Sequence, residues 1–236
     1  MLNRNDYGFS NQQIRIEMGK SFTDDICQIK EVWTKCFNDS EKYFDSFLNR
    51  FYLPECMITC KIENKIVSLF CIVPCTSALG NTAYLFGLAT LPEYRRKGYG
   101  SKVVYETLKA CGKMNFDEVV LIPGEKKLKD YYSKFDFIDA NIHLSFTTDF
   151  DLGTGDSSKN IAMILSLKTQ NTNHYPRELI CKPCHEFLSP LQKVYIRFLR
   201  LLKMVYQSLK FVYPFSSNSS ANSFPPVFTI CPSTIT

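Results

Sequence analysis

Arg95-Arg96-Lys97-Gly98-Tyr99-Gly100-Ser101 is the stretch of this 236-residue chain whose residue types and spacing best suit chemistry. It follows an apolar run, Thr82–Thr90, that reads as a buried strand. It leads into Ser101–Lys113, where Val104, Leu108 and Cys111 recur at helical spacing. The first amides of a helix have no internal partner, and the helix dipole adds about half a positive charge at that end. Gly98 and Gly100 lack a Cβ, so a ligand can come close to the backbone. Arg95, Arg96 and Lys97 raise the positive potential further. Together these features describe a pyrophosphate site. The spacing is not that of the nucleoside-triphosphate loop, and the first glycine of the dinucleotide fingerprint is missing. The bland alternative is a solvated strand-to-helix turn with chance glycines.

Cys181-Lys182-Pro183-Cys184-His185 is the second chemical spacing. It matches covalent haem attachment, or three ligands of a zinc site with Cys231 or His174 as the fourth, or a redox pair. Haem attachment of this type needs an exported protein, and Met1–Ser10 is polar with no apolar stretch of a secretory signal. A chance pair in a loop is the preferred reading, and no metal is expected. The chain has ten cysteines, most in apolar surroundings such as Cys71 within Ser68–Val73, which reads as buried thiols in a reducing compartment.

The elements that must position the basic loop follow from periodicity. Gln13–Met18 alternates as a half-buried strand does. Thr23 or Asp24 can cap a helix with Ile26, Ile29, Val32, Trp33 and Phe37 on its apolar face, ending at Asn38-Asp39-Ser40. Glu41–Phe51 carries Phe44, Phe47, Leu48 and Phe51 on one stripe. Met57–Ile62 and Ile66–Pro74 flank a Glu63-Asn64-Lys65 turn as a hairpin. Glu118–Ile122 is a short strand and Glu125–Phe135 a helix. Ile142–Phe150 and Ile161–Leu167 make a closing antiparallel pair. A mixed, mostly antiparallel central sheet flanked by helices is the expected α/β architecture, with a crossover through the 101–113 helix.

The remaining third differs. From Asp151 onward there are nine Lys or Arg and four Asp or Glu, whereas nineteen of each precede it. Residues 1–11 read as a flexible N-terminus, 12–168 as the domain and 169–188 as a linker. Residues 189–213 read as a basic amphipathic helix and 214–236 as a disordered tail. The helix suits packing on the domain, contact with a partner or a membrane surface. A truncated or frame-shifted remnant is a further reading of that region. No apolar run reaches the roughly 18 residues of a membrane span, and a cytoplasmic location is expected.

Arg95, Gly98 and Gly100 fill the pattern Arg/Gln-x-x-Gly-x-Gly/Ala, and Leu91-Pro92-Glu93-Tyr94-Arg95 is similar to its usual lead-in. In these residues and in its order of elements the chain resembles the GNAT superfamily of N-acetyltransferases over about residues 12–168. The resemblance implies acetyl-CoA as co-substrate. Arg95, Arg96, Lys97, Gly98, Tyr99, Gly100 and Ser101 would hold the pyrophosphate, and the strand at Leu88, Ala89 and Thr90 would pair with the pantetheine arm. It also implies two central strands that splay, with Gly87 as a candidate bulge. The family's second motif, Asn-x-x-Ala-x-x-x-Tyr-x-Lys-x-Gly-Phe, falls on Glu125, Leu128, Tyr132, Lys134, Asp136 and Phe137. Tyr132 thereby matches the tyrosine that protonates the departing thiolate. Its neighbour Tyr131 points elsewhere on a helix and is expected to be uninvolved. Glu125, Leu128 and Asp136 depart from the pattern. Glu125 sets negative charge near the cofactor or caps the helix, and Asp136 can hold a left-handed helix end.

The implied reaction is acetyl transfer from acetyl-CoA to a primary amine of a small molecule or peptide, by direct attack in a ternary complex. The rival is a catalytically weak or inactive acyl-CoA-binding module. Carboxylates on the active half include Glu93, Glu55 and Glu63, Glu93 reading best as a loop cap or an ion-pair partner of Arg95 or Arg96. No nucleic-acid partner is expected, and a homodimer is left open.

Overall fold

The computed structural model describes residues 14–18, 25–37, 39–153, 160–168 and 175–184. One compact unit ends at Pro183. Its elements are β1 (Ile14–Met18), α1 (Ile26–Cys36), α2 (Glu41–Phe51), β2 (Met57–Ile62), β3 (Lys65–Ser77), β4 (Gly80–Thr90), α3 (Tyr99–Lys113), β5 (Glu118–Leu121), α4 (Leu128–Ser133), β6 (Ile138–Phe146), β7 (Ile161–Ser166) and β8 (Glu178–Pro183). The proposed cap residues Thr23 and Asp24, the linker ends, the basic helix at 189–213 and both termini lie outside the described residues.

The strands form one sheet in the order β1-β2-β3-β4-β5-β7-β6-β8. Pairing is antiparallel except for β4 with β5 and β6 with β8. The β2–β3 hairpin turns on Glu63 and Asn64, both at positive φ, which matches the twist of a tight two-residue hairpin turn. Lys65 is therefore the first residue of β3 rather than part of the turn.

Three elements differ from the sequence reading. α4 is one short helix, Leu128–Ser133, because the chain from Gly124 to Lys127 runs through a bend and a turn first. β6 begins at Ile138 and ends at Phe146, four residues earlier at each end than the apolar run suggests. The third difference lies inside the supposed 169–188 linker, where Glu178–Pro183 is β8. β8 lies parallel to β6 and also pairs with Cys75 and Thr76 of β3. β3, β4, β5, β7, β6 and β8 thus close a circuit, and Leu179 and Cys181 are buried in the core inside it.

α1 and α2 cover one face of the sheet with aromatic residues. Trp33 is 1% exposed. Its ring centroid lies 4.7 Å from Phe37, 5.0 Å from Phe44, 5.4 Å from Phe47 and 5.5 Å from Phe86 of β4. Each such ring contributes about 1.5–3 kcal/mol by leaving water. The indole Nε1 donates to Asp39 at 2.9 Å, so the polar edge of the ring is satisfied as well. α3 covers the opposite face with Tyr99, Val103, Val104, Thr107, Ala110 and Cys111. Leu108 is only half-buried, so the packed stripe is rotated by one position from the one expected. Asp25 occupies the N-cap position just before α1 without a side-chain cap bond and is buried against Lys61 at 2.9 Å instead.

Candidate active site

The site grows out of an irregularity in β4. Leu69 pairs with Ala89 and Cys71 with Phe86, so β4 carries one residue more than β3 across that interval. Gly87 takes up the extra residue at φ +71, in the left-handed region. The Trp33 ring packs directly on it: a Cβ there would fall 2.4 Å from Trp33 Cζ3. The bulge expected at Gly87 is present, and α1 supplies its backing.

β4 has already left β5 by this point. Their pairing covers only Thr82–Tyr84 against Glu118–Val120. Leu91 N–H donates to Val67 O at 2.9 Å, so by strand alternation Ala89 also turns its backbone groups to β3. Leu88 and Thr90 turn theirs toward the opened edge. Thr90 O accepts there from Arg95 Nε at 3.0 Å and Cys36 Sγ at 3.3 Å. Burial pushes the Cys36 thiol up, against the guanidinium of Arg95. On the β3 side, Ser68 Oγ donates to Ala89 O at 2.7 Å and lies 2.8 Å from Thr90 Oγ1.

The basic loop then delivers α3. A short turn at Pro92–Tyr94 is followed by Arg96 at φ 60 and Gly98 at φ 81. Lys102 N–H donates to Gly98 O at 3.0 Å, which leaves the amides of Tyr99, Gly100 and Ser101 as the unpartnered first turn. A Cβ on Gly98 would meet nothing within 4 Å. Gly100 is closer packed, since a Cβ there would lie 3.2 Å from Thr90 Oγ1. Arg95, Arg96, Lys97 and Gly98 are exposed. None of the three cations has an ion-pair partner among the described residues. Tyr99 is buried, and its ring packs edge-on against Tyr94 of the loop at 6.2 Å. Lys65 and Lys97 lie 5.6 Å and 5.4 Å from the Tyr94 ring centroid. Glu93 pairs with Lys65 at 3.7 Å, not with Arg95 or Arg96 as expected.

Across the opening stands α4. Tyr132 is buried, and its ring packs 6.0 Å from Phe137. Burial lifts its hydroxyl far above the ordinary phenol value. Among the described residues that hydroxyl meets no hydrogen-bond partner. Tyr131, expected to face elsewhere, reaches the basic loop: its Oη lies 3.3 Å from Ser101 Oγ. Glu125 does not cap α4; its carboxylate pairs with Lys127 at 2.6 Å. Asp136 closes the turn after α4 at φ 64, the left-handed conformation expected of it. Glu55 is half-buried with an unpartnered Oε1, and burial raises its carboxyl. Cys181 is buried in β8, and no group of three or more His, Cys, Asp or Glu among the described residues could hold a metal. No helix among the described residues is long and apolar enough to cross a membrane.

Residues 23–137 match the model of the acetyltransferase (GNAT) family. The chain carries a GNAT acetyltransferase domain. β2, β3, β4 and β5, with the opening between the last two, fall within the matched residues, while β1 precedes them and β6, β7 and β8 follow them. A GNAT family N-acetyltransferase from Escherichia coli in complex with CoA has the same fold. It superposes at a TM-score of 0.54 with 17% identity, over 75% of this chain and 91% of that one. A GNAT acetyltransferase from Brucella melitensis in complex with acetyl-CoA gives a TM-score of 0.49 at 14% identity, over 75% and 99%. The chain spans about a third of a GCN5-related N-acetyltransferase from Kribbella flavida, covering 32% of it and 51% of this chain at 16% identity and a TM-score of 0.45. No curated protein sequence matches the chain.

The basic loop, Thr90 and Ser101 of this GNAT domain meet at one point, joined there by Tyr131. Tyr132 stands on the same helix as Tyr131 but makes no contact with that point. Ser68 and Tyr131 are the residues that sequence reasoning passed over. Ser68 is level with Thr90 once the hairpin register is drawn, so its contact was recoverable; the reach of Tyr131 depends on how α4 is turned.

Proposed function

We propose that this GNAT domain transfers an acetyl group from acetyl-CoA to a primary amine of a small molecule or peptide, by direct attack in a ternary complex. The observation that carries this reading is the opened edge of β4, which leads into an unpartnered helix start flanked by three unpaired cations. An acyl-CoA fits these residues. The space over Gly98 is empty, and the amides of Tyr99, Gly100 and Ser101 with the Ser101 hydroxyl suit a diphosphate. Arg95, Arg96 and Lys97 offset its charge. Leu88 and Thr90 offer the backbone edge for the amides of the pantetheine arm, while Ala89 turns its backbone to β3 and keeps its methyl group in the core.

The chemistry follows from holding both reactants at this edge, which removes most of the entropy of encounter. A neutral amine attacks the thioester carbonyl carbon; the C–S bond then breaks, CoA departs as the thiolate, and the proton lost from the amine nitrogen passes to solvent and on to that thiolate. The Leu88 N–H, just past the bulge, polarises the carbonyl oxygen. Tyr132 donates a hydrogen bond to the sulfur as it gains charge. A thiol has a pKa of about 8.5, and Tyr132 is held above the ordinary phenol value. The proton therefore stays largely on the phenol, and Tyr132 stabilises the thiolate mainly as a donor. Glu125 is matched by Lys127 and Asp136 adopts its required conformation, so neither departure argues for the binding-only alternative.

The test is release of free thiol from acetyl-CoA in the presence of a panel of primary amines, polyamines, amino acids and peptides. Amine-dependent release by the parent protein, lost in Gly98→Glu, supports the reading. Release by Gly98→Glu at the parental KM for acetyl-CoA contradicts the placement of the diphosphate, because that change sets bulk and negative charge over α3.

A further inference from the structure

α3 follows β4 and α4 follows β5, so the two helices stand on opposite lips of the opening between those strands. A polar contact between described residues crosses it. Tyr131 Oη lies 3.3 Å from Ser101 Oγ, long for a contact between hydroxyls, which prefer about 2.7–2.8 Å. A Cβ on Gly100 would lie 3.5 Å from the same phenol oxygen. The hydroxyl thus sits against the first turn of α3, beside the amides that have no partner. Its ring is fixed edge-on by Tyr132 at 5.2 Å and Phe135 at 5.4 Å, so its direction is set by packing. Burial raises the phenol, with Ser101 acting against that shift, and the group remains a neutral donor at physiological pH. Amides and two hydroxyls meet here, and Arg95, Arg96 and Lys97, without ion-pair partners among the described residues, precede them in the same loop. The group these donors lack is an anion with several acceptor oxygens.

We infer that the Tyr131 hydroxyl is a ligand of the CoA diphosphate, exchanging its weak contact with Ser101 for a phosphate oxygen. This rests on the acyl-CoA reading above and adds to it a residue from the far lip. It ties α4 to the bound nucleotide end, and thereby holds Tyr132 in place on the same helix. Tyr131 acts on binding and position; it does not touch the reacting atoms.

The experiment compares the parent with Tyr131→Phe, which keeps the ring and its packing. Each is titrated with CoA, with inorganic pyrophosphate competing against CoA, and with pantetheine, which lacks the diphosphate. A hydrogen bond to a charged group predicts CoA and pyrophosphate binding weaker by about tenfold or more, with pantetheine unchanged. Equal CoA affinity in the two proteins overturns the inference. Equal weakening of CoA and pantetheine also overturns it, since that signals a displaced helix rather than a lost ligand. If the parent binds CoA and the variant does so equally, Tyr131 alone is removed. If the parent binds neither CoA nor pyrophosphate, the acyl-CoA reading fails with it.

Discussion

Gly87→Ala is the perturbation whose magnitude follows most directly from the geometry of the opening. Gly87 sits at φ +71, where an L-residue costs roughly 1–2 kcal/mol. Its new methyl would fall 2.4 Å from Trp33 Cζ3 and 2.5 Å from Cη2. The ring cannot retreat, because Phe37, Phe44, Phe47 and Phe86 surround it. Overpacking of this kind costs about 1–3 kcal/mol. The two terms act on different coordinates and both apply, so the expected destabilisation is about 2–5 kcal/mol. Urea unfolding followed by fluorescence reads it directly, since Trp33 is the only tryptophan in the chain. Pairing the change with Trp33→Leu, followed by circular dichroism, isolates the steric part. A favourable coupling of about 1–3 kcal/mol is expected, because the smaller side chain makes room for the methyl. A cost below about 1 kcal/mol for Gly87→Ala, or no coupling to Trp33, would refute the idea that the indole props the bulge open.

Three further outcomes are expected. Tyr132→Phe should lower turnover by roughly ten to ten-thousandfold with CoA affinity nearly unchanged; an unaltered rate removes Tyr132 from the mechanism. Because burial holds the Tyr132 phenol above its ordinary value of 10.0, kcat should show no alkaline fall caused by this group below that pH; a fall that vanishes in Tyr132→Phe would contradict its protonated state. Glu55 has a raised folded pKa, so the folded state binds more protons than the unfolded one from about 4.5 upward, and stability falls as pH rises through the folded pKa. Glu55→Gln should therefore raise the Tm relative to the parent near pH 7, with the difference closing below pH 4.5; a constant difference across pH would show that ionisation of Glu55 is not its cause.

The parts of the site that the sequence exposed are those set by local chemistry. Gly98 and Gly100 at a strand-to-helix turn, and the lone glycine in the β4 run, announce themselves by conformational need. The helices α1 and α2 were legible because their apolar residues repeat at helical spacing over eleven residues each. What escaped depends on partners distant in the chain. β8 is six residues long and alternates only at Leu179 and Cys181, and it becomes a strand because β6 and the far end of β3 accept it. Residues Glu125–Lys127 looked helical in continuation of α4, but the preceding Gly124 and a local Glu125–Lys127 pair favour a turn there. Neighbouring tyrosines on a short helix cannot be told apart by periodicity. Tyr131 meets Ser101 only because β4 and β5 place their helices on facing lips of one opening.

The central claim is that the opened edge of β4 and the first turn of α3 receive an acyl-CoA. Calorimetric titration of the purified full chain with acetyl-CoA and with CoA, at low and at moderate salt, tests it most directly. The account predicts binding at micromolar levels that weakens as salt screens Arg95, Arg96 and Lys97. Absence of binding at millimolar acetyl-CoA would contradict it.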